Sequence, residues 1–141
     1  MSMKSILLML AYLSFSAVAI EFKVFHEGDR FYVQLINMTN EPIDIARDFI
    51  FDDCANRANI CVEVYEVDGL GLHILSMPMS YDHEFSQRYE LWPRRSYGRV
   101  FLYNDIKKRF AIEPGDYIVI FKYRDWKREK FYQSDPIHVA F

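Results

Sequence analysis

The densest group of titratable side chains in the sequence lies in Tyr81-Asp82-His83-Glu84, with His73 ten residues before His83. A histidine between two carboxylates could act in acid–base chemistry or hold a divalent metal. Neighbouring residues of a strand point to opposite faces, so Asp82, His83 and Glu84 converge only if they lie in a loop. A polar, solvated loop is the simpler interpretation of this segment. We therefore predict no catalytic residue and no metal site, and a small metal-dependent enzyme remains the minor alternative.

Other patterns that carry chemistry are weak or missing in the sequence. There is no Gly-x-Ser-x-Gly nucleophile motif, and Gly69-Leu70-Gly71 lacks the third glycine of a phosphate-binding loop. These observations predict that the protein uses no cofactor. His26 and His138 could form a pH-sensitive pair if the first and last strands lie together, although two ordinary, partly buried histidines are the alternative. Asn37-Met38-Thr39 fits a glycosylation acceptor, which matters only in a eukaryotic secretory pathway.

Cys54 and Cys61 are the two cysteines of the chain. An even number of cysteines in an exported protein favours a disulfide. Closing so short a loop stabilises the fold by roughly 2.5 kcal/mol on the chain-entropy account. Two free thiols are the alternative, whereas a zinc site is disfavoured because no histidine lies at ligand spacing. We predict a Cys54–Cys61 disulfide.

The strongest candidate for a binding surface is the segment 122–132, which reads KYRDWKREKFY. It predicts a hairpin whose tip carries Trp126 among the basic residues Arg124, Lys127 and Arg128. Tryptophan and arginine are the residue types that most often anchor protein interfaces, and the basic rim would steer an acidic partner. In the alternative interpretation, Trp126 folds back onto the sheet and the basic side chains only solvate the turn.

A second, weaker candidate surface comprises Arg94, Arg95 and Tyr97. Charge is unevenly distributed, since residues 20–93 hold 5 basic and 14 acidic side chains and residues 94–130 hold 11 basic and 5 acidic. Such asymmetry can indicate a partner surface, unless the two parts interleave in the fold and their charges mix. The whole chain has a net charge of −3, which disfavours nucleic acid as the partner.

The elements that must position these residues are short strands separated by turns. In the segment 30–37, Phe31, Val33 and Leu35 share one face, the period-two pattern of a half-buried strand. Further runs with strand character are 21–26, 61–67, 72–77, 88–92, 97–103, 117–124 and 131–141. Residues 104–110 predict one short helical turn that Asn104 or Asp105 would cap. About eight strands and almost no helix predict an all-β fold, an antiparallel β-sandwich.

Two segments, LWPRRSYG at 91–98 and FAIEPGDY at 110–117, resemble secreted bacterial immunoglobulin-like domains. In such domains a Pro-Gly turn and the tyrosine that begins the next strand form a corner. The resemblance therefore implies that Pro114, Gly115 and Tyr117 form a structural corner, with the Tyr117 hydroxyl satisfying backbone groups. It covers about residues 88–124 and implies an immunoglobulin-like β-sandwich, but it says little about activity.

The first nineteen residues are typical of a secretory signal peptide. Lys4 gives a positive start, residues 6–15 are apolar, and Ala17-Val18-Ala19 offers the small residues that a signal peptidase accepts. An uncleaved anchor or a buried strand is the alternative. Cleavage after Ala19 would leave residues 20–141 as one soluble domain.

Taken together, the sequence predicts a periplasmic or secreted immunoglobulin-like β-sandwich, free of the membrane once the signal is removed. Its predicted function is to bind a protein partner with an acidic surface and to catalyse no reaction. The most concrete form of this prediction is an inhibitor or immunity protein that blocks an exported toxin or hydrolase. A structural or adhesive subunit is the alternative.

Overall fold

The computed structural model describes residues 19–46, 51–54, 60–68, 71–75, 88–125 and 127–141. The predicted signal peptide therefore lies outside the described residues, apart from Ala19. The elements in chain order are β1 (Ile20–Glu27), β2 (Arg30–Asn37), β3 (Ile43–Ala46), β4 (Phe51–Asp53), β5 (Ile60–Asp68), β6 (Gly71–Leu75), β7 (Arg88–Leu91), β8 (Ser96–Leu102), α1 (Tyr103–Arg109), β9 (Asp116–Asp125), β10 (Lys130–Gln133) and β11 (Ile137–Ala140). No described helix has the length and apolar character of a membrane span.

The larger sheet is built around β9, the strand whose sequence is apolar on both faces. Strand β5 pairs antiparallel with one edge of β9, and β10 and β11 pair end to end along its other edge. The far edge of β5 carries β4, in parallel, and β6, in antiparallel orientation. The central position of β9 explains why its side chains on one face are buried and those on the other half-buried.

A smaller sheet has the strand order β1–β2–β8, antiparallel throughout. The hairpin between β1 and β2 closes through Gly28 and Asp29, and Gly28 has a φ of 60°. A two-residue turn that begins with a left-handed glycine matches the twist of the two strands that it connects. Strands β3 and β7 form a separate two-stranded ribbon.

Side chains of the two larger sheets meet in one core. Phe31 of β2 and Phe121 of β9 are both fully buried, with their ring centroids 5.1 Å apart. Phe101 of β8 lies 5.9 Å from the same Phe121 ring. Burying each of these rings contributes about 2–3 kcal/mol from the apolar area removed from water. The all-β, mainly antiparallel prediction is confirmed, whereas its immunoglobulin-like form stays a prediction.

The short predicted helix is present, but its predicted cap is wrong. Helix α1 begins at Tyr103, and its N-cap is the extended residue Leu102, which makes no side-chain capping bond. Neither Asn104 nor Asp105 can cap, because both lie inside the first turn. A tertiary contact fixes the start of the helix, since the Tyr103 N–H donates to the carbonyl oxygen of Asp29 at 2.9 Å.

The last predicted strand, 131–141, is divided into β10 and β11. Ser134 causes the break: its N–H donates to the carbonyl of Phe121 at 2.9 Å, and its hydroxyl oxygen accepts the Phe121 N–H at 3.1 Å. Pro136 follows two residues later and could not donate to the ladder. The two short strands thus form one interrupted edge along β9.

Candidate protein-binding site

The predicted disulfide between Cys54 and Cys61 is confirmed. It links the residue after β4 to the buried start of β5, where Cys61 pairs with Asp52. The bond thereby holds the short parallel strand against the larger sheet.

Pro114, Gly115 and Tyr117 lie at the start of β9. The Tyr117 hydroxyl donates to the carbonyl oxygen of Glu113 at 2.8 Å, and its ring packs edge-on against Phe141 with centroids 5.5 Å apart. The backbone of Gly115 exchanges two hydrogen bonds with Phe141, at 3.0 and 3.2 Å. Burial first, and then the charges of Glu66 and Glu113, raise the pKa of the Tyr117 phenol. These residues hold the chain end to the sheet.

The hairpin tip, residues 125–130, joins β9 to β10, and its predicted anchor Trp126 lies outside the described residues. Asp125 organises the tip although its side chain is only 2% exposed. One carboxylate oxygen accepts the N–H groups of Lys127 and Arg128, both at 3.1 Å, and the other accepts Nη1 of Arg128 at 2.7 Å. The charge of Arg128 is therefore balanced within the tip.

The other two basic residues of this surface also have partners. Arg124 lies over the Phe131 ring, with its guanidinium carbon 4.6 Å from the ring centroid. The Lys127 ammonium lies 3.2 Å from a carboxylate oxygen of Asp44 in β3, but its side chain remains 59% exposed. The tip thus presents less free positive charge than the sequence suggested, and Lys127 is its most accessible cation among the three.

The second candidate surface lies on the tight turn between β7 and β8, which we call the tryptophan–arginine turn (residues 92–95). Trp92 is 60% exposed and both Arg94 and Arg95 are exposed. Tyr97 is half-buried and packs on Tyr89 with ring centroids 5.3 Å apart. The turn therefore displays a large aromatic ring beside two guanidinium groups, the combination that most often anchors protein interfaces.

Arg94 has a φ of 60°, in the left-handed region that favours glycine. Two backbone hydrogen bonds bracket it: the Arg94 N–H donates to the carbonyl of Asn37 at 3.0 Å, and the Asn37 N–H donates to the carbonyl of Arg95 at 3.1 Å. Holding a residue with a Cβ in this region costs about 1–2 kcal/mol. The bonds to Asn37 thus hold the turn in a strained conformation.

Asn37 is fully buried and joins this turn to the rest of the fold. Its Nδ2 donates to the carbonyl oxygens of Glu41 and Leu91, both at 2.8 Å. Its Oδ1 accepts the N–H of Thr39 at 2.9 Å and the Thr39 hydroxyl at 2.7 Å. A glycan on Nδ2 is incompatible with this arrangement, so the glycosylation interpretation of Asn37 is wrong for the folded protein.

The two candidate surfaces adjoin each other at strand β3. Lys127 contacts Asp44, the neighbour of Ile43, and Ile43 pairs with Leu91, which directly precedes Trp92. The hairpin tip and the tryptophan–arginine turn are therefore connected through two adjacent residues of one strand. No sequence pattern indicated this contact, because it joins residues 83 positions apart.

Sequence reasoning missed two exposed features. Trp92 lies in the segment 91–98, which carries the immunoglobulin-like resemblance, but no sequence pattern assigned it a role. A tryptophan before Pro93 could have indicated an exposed turn. Phe25, Val100 and Leu102 are also 40% exposed or more. The alternation along β1 and β8 would have placed them on the outer face of the smaller sheet.

The first and last strands do not pair with each other, which was the condition for a pair between His26 and His138. His26 lies in the smaller sheet, where its Nδ1 is 2.9 Å from the Tyr103 hydroxyl, and His138 lies in β11 of the larger sheet. Strand β1 pairs with β2 and strand β11 with β9, so the two histidines are not cross-strand neighbours.

Only one of the four residues considered for metal chemistry lies within the described part of the chain. His73 lies in β6, opposite Glu66, whereas Asp82, His83 and Glu84 lie outside the described residues. Within the described part of the chain, no group of three metal-ligating side chains is placed to hold an ion.

No protein-family model matches the chain, and no curated protein has a significantly similar sequence. The geometry of the described residues is therefore the evidence for function.

Proposed function

We propose that this protein is an exported, non-catalytic, immunoglobulin-like β-sandwich that binds another protein. The binding face comprises the tryptophan–arginine turn and the adjoining hairpin tip. The observation that supports this most is the 60% exposed Trp92 beside exposed Arg94 and Arg95, on a turn linked to Lys127 through β3. An aromatic ring surrounded by cations suits a partner with an acidic rim around an apolar pocket.

The strain at Arg94 supports the same proposal. Glycine would adopt a φ of 60° without cost, so the backbone alone gives no reason for an arginine there. Backbone strain of this kind is concentrated at functional sites. Arg94 differs from Ala111, which also has a positive φ, in carrying an exposed cationic side chain beside Trp92, and contact of that side chain with another molecule is the function proposed for it.

Because the turn is rigid, an inhibitor or immunity protein is the most concrete form of the proposed binding function. Two hydrogen bonds of the Asn37 backbone and one from its side chain to the Leu91 carbonyl hold the base of the turn before any partner arrives. A loop that is already in its bound shape loses little entropy on association. A projecting, preorganised turn suits insertion into the cleft of an exported toxin or hydrolase. The disulfide agrees with an oxidising compartment.

The test is affinity capture from the exported proteins of the source cells, with the chain 20–141 as bait and quantitative mass spectrometry as readout. Trp92→Ala should lower partner recovery roughly 30-fold, because truncating a central interface residue costs at least 2 kcal/mol. Ile74→Ala is the matched control, since Ile74 is 59% exposed but lies in β6 of the larger sheet, outside the proposed surface. Equal capture by Trp92→Ala and the parent protein would reject this surface.

Arg94→Gly separates binding from folding. We expect this change to raise stability by about 0.5–1 kcal/mol by removing the strain, and yet to lose partner capture. Ala111→Gly is its control, because Ala111 also has a positive φ, 50°, at the end of α1 and remote in sequence from the proposed surface. It should gain similar stability and keep full capture. If Arg94→Gly captured as much partner as Ala111→Gly, the arginine would have no part in binding.

A further inference from the structure

Strand β8 forms one edge of the smaller sheet and directly follows the tryptophan–arginine turn. The strand order is β1–β2–β8, and none of the described strands pairs with the far side of β8. Ser96 and Gly98 are exposed, and Val100 is 44% exposed. A strand at the edge of a sheet presents backbone groups with which another chain can pair.

Hydrogen bonds at the two ends of the β2–β8 ladder show which backbone groups of β8 face away from β2. At one end the Tyr103 N–H donates to the Asp29 carbonyl at 2.9 Å, and at the other the Asn37 N–H donates to the Arg95 carbonyl at 3.1 Å. The register is constant between these ends, and every second residue of an antiparallel strand bonds to a given neighbour. The odd-numbered residues of β8 therefore bond to β2. The N–H and carbonyl groups that point away from β2 belong to Ser96, Gly98 and Val100.

Charge at this edge favours an acidic partner. The segment 91–103 contains three arginines and no carboxylate. Two of them, Arg94 and Arg95, are exposed and lie directly before β8. The opposite edge strand, β1, carries two glutamates and one lysine. An acidic chain therefore gains more at β8 than at β1.

We propose that an acidic, extended segment of the partner adds to β8 as an antiparallel strand. This inference rests on the function proposed above and specifies how the partner is held. Backbone hydrogen bonds to Ser96, Gly98 and Val100 supply affinity, and the alternating side chains of the segment supply selectivity. Antiparallel addition places the C-terminal end of the segment beside Arg94 and Arg95, so that is where its carboxylates lie.

The flanking elements limit the length of the added strand. The chain leaves the line of β8 at Arg95, whose N–H donates to the Trp92 carbonyl at 3.1 Å within the turn, and α1 begins at Tyr103. The edge from Ser96 to Val100 is about 17 Å long from standard strand dimensions. So short a ladder binds weakly by itself, and contacts of the partner with Trp92 and the arginines supply the remaining affinity.

The test is an NMR titration of the 15N-labelled chain 20–141 with the capped synthetic peptide TVTVTVEE, up to about 5 mM, for an expected dissociation constant on the order of 1 mM. The amide signals of Ser96, Gly98 and Val100 should shift most. Their hydrogen exchange should slow roughly fivefold at the highest peptide concentration, because that fraction of the edge is then paired. The peptide TVTVTVKK, of opposite charge, should bind at least roughly tenfold more weakly.

Two variants of one residue test the backbone pairing itself. Val100→Pro removes an N–H that β2 does not use, and the proline ring occupies the place of the added strand. It should fold and bind TVTVTVEE at least roughly tenfold more weakly. Val100→Thr keeps the N–H and a β-branched side chain, so its affinity should stay within roughly twofold of the parent. Far-UV circular dichroism and the melting temperature report folding.

The proposal is overturned if the three amides neither shift nor gain protection, if both peptides bind equally, or if folded Val100→Pro binds as the parent does. Should Val100→Pro not fold, amide exchange in the parent protein decides. Loss of partner capture in Trp92→Ala without peptide addition at β8 would reject only the added strand. Peptide addition with unchanged capture by Trp92→Ala would reject only the protein-binding turn.

Discussion

Asn37→Ala is the substitution that most directly tests how the proposed binding turn is held. The side chain is fully buried and makes four hydrogen bonds at 2.7–2.9 Å. They join the end of β2 to the carbonyl of Leu91, next to the tryptophan–arginine turn, and to the loop that contains Thr39 and Glu41. In Asn37→Ala only a methyl group would remain in the buried site, and all four side-chain hydrogen bonds would be lost.

The expected loss can be assigned bond by bond. The bond to the Leu91 carbonyl is buried, and leaving a buried group unpaired costs about 1–3 kcal/mol. The bonds to Thr39 and Glu41 are partly buried, and each net loss is about 0.5–1 kcal/mol. The Glu41 carbonyl loses less, because the Thr39 hydroxyl lies 2.7 Å from it and can donate its single proton there once Asn37 Oδ1 is gone. We expect Asn37→Ala to lower the free energy of unfolding by about 3–4 kcal/mol.

Urea denaturation followed by circular dichroism measures this change. Asn40→Ala is the matched control, because Asn40 is exposed in the same loop and its replacement should change the free energy by less than about 0.5 kcal/mol. In thermal unfolding, a chain of this size should lose about 10–15 °C with Asn37→Ala. If Asn37→Ala and Asn40→Ala unfold at the same urea concentration, the buried network does not stabilise the fold as argued.

Three further predictions concern the frame around this site. Gly98→Ala should lower stability by about 2–3 kcal/mol in urea denaturation, because its Cβ would lie 2.6 Å from a backbone oxygen of β2; an unchanged midpoint would contradict that contact. Tyr117→Phe removes the bond to Glu113 and should cost about 1 kcal/mol at neutral pH. Burial raises the pKa of the Tyr117 phenol in the folded protein above its ordinary value of 10.0. The stability that this shift contributes is therefore fully present below pH 10.0, and it is lost as the pH rises through the pKa of the folded state. The phenylalanine variant should therefore lose less stability than the parent in alkaline titration. Replacing Cys54 and Cys61 by serine should cost roughly 2.5 kcal/mol, and reduction of the parent protein should reproduce that loss.

Most strands could be predicted because their signal is local. The period-two pattern of Arg30–Asn37 gave the strand with its bounds, and the same pattern placed Phe31, Val33 and Leu35 in the core. The start of α1 could not be predicted in the same way. It depends on a hydrogen bond between Tyr103 and Asp29, whose pairing exists only once β1, β2 and β8 have assembled.

The site was harder to predict, for two different reasons. Arg128 was expected to contribute free charge, but the carboxylate that neutralises it is 98% buried, and burial of Asp125 follows from tertiary packing. For Asn37 the sequence did contain a signal. Continuing the alternation of β2 by one step puts Asn37 on the inward face, which argues against an exposed glycosylation acceptor. At Asn37 the glycosylation motif predicts an exposed side chain, whereas the strand periodicity predicts a buried one. The periodicity is correct, because burial is set by the whole strand.

The Asn37 network and the strained Arg94 are one structural unit. The Asn37 backbone accepts the N–H of Arg94 and donates to the carbonyl of Arg95, so it fixes the chain on both sides of the left-handed residue. Strain of about 1–2 kcal/mol at Arg94 is offset by these two backbone bonds and by the buried bond from Asn37 Nδ2 to the Leu91 carbonyl. Asn37→Ala keeps the two backbone bonds but removes the side-chain bond to the Leu91 carbonyl, and this would loosen the chain directly before Trp92. Asn37 should consequently affect binding without contacting the partner, since a turn that must be ordered on association binds more weakly than one already held in place.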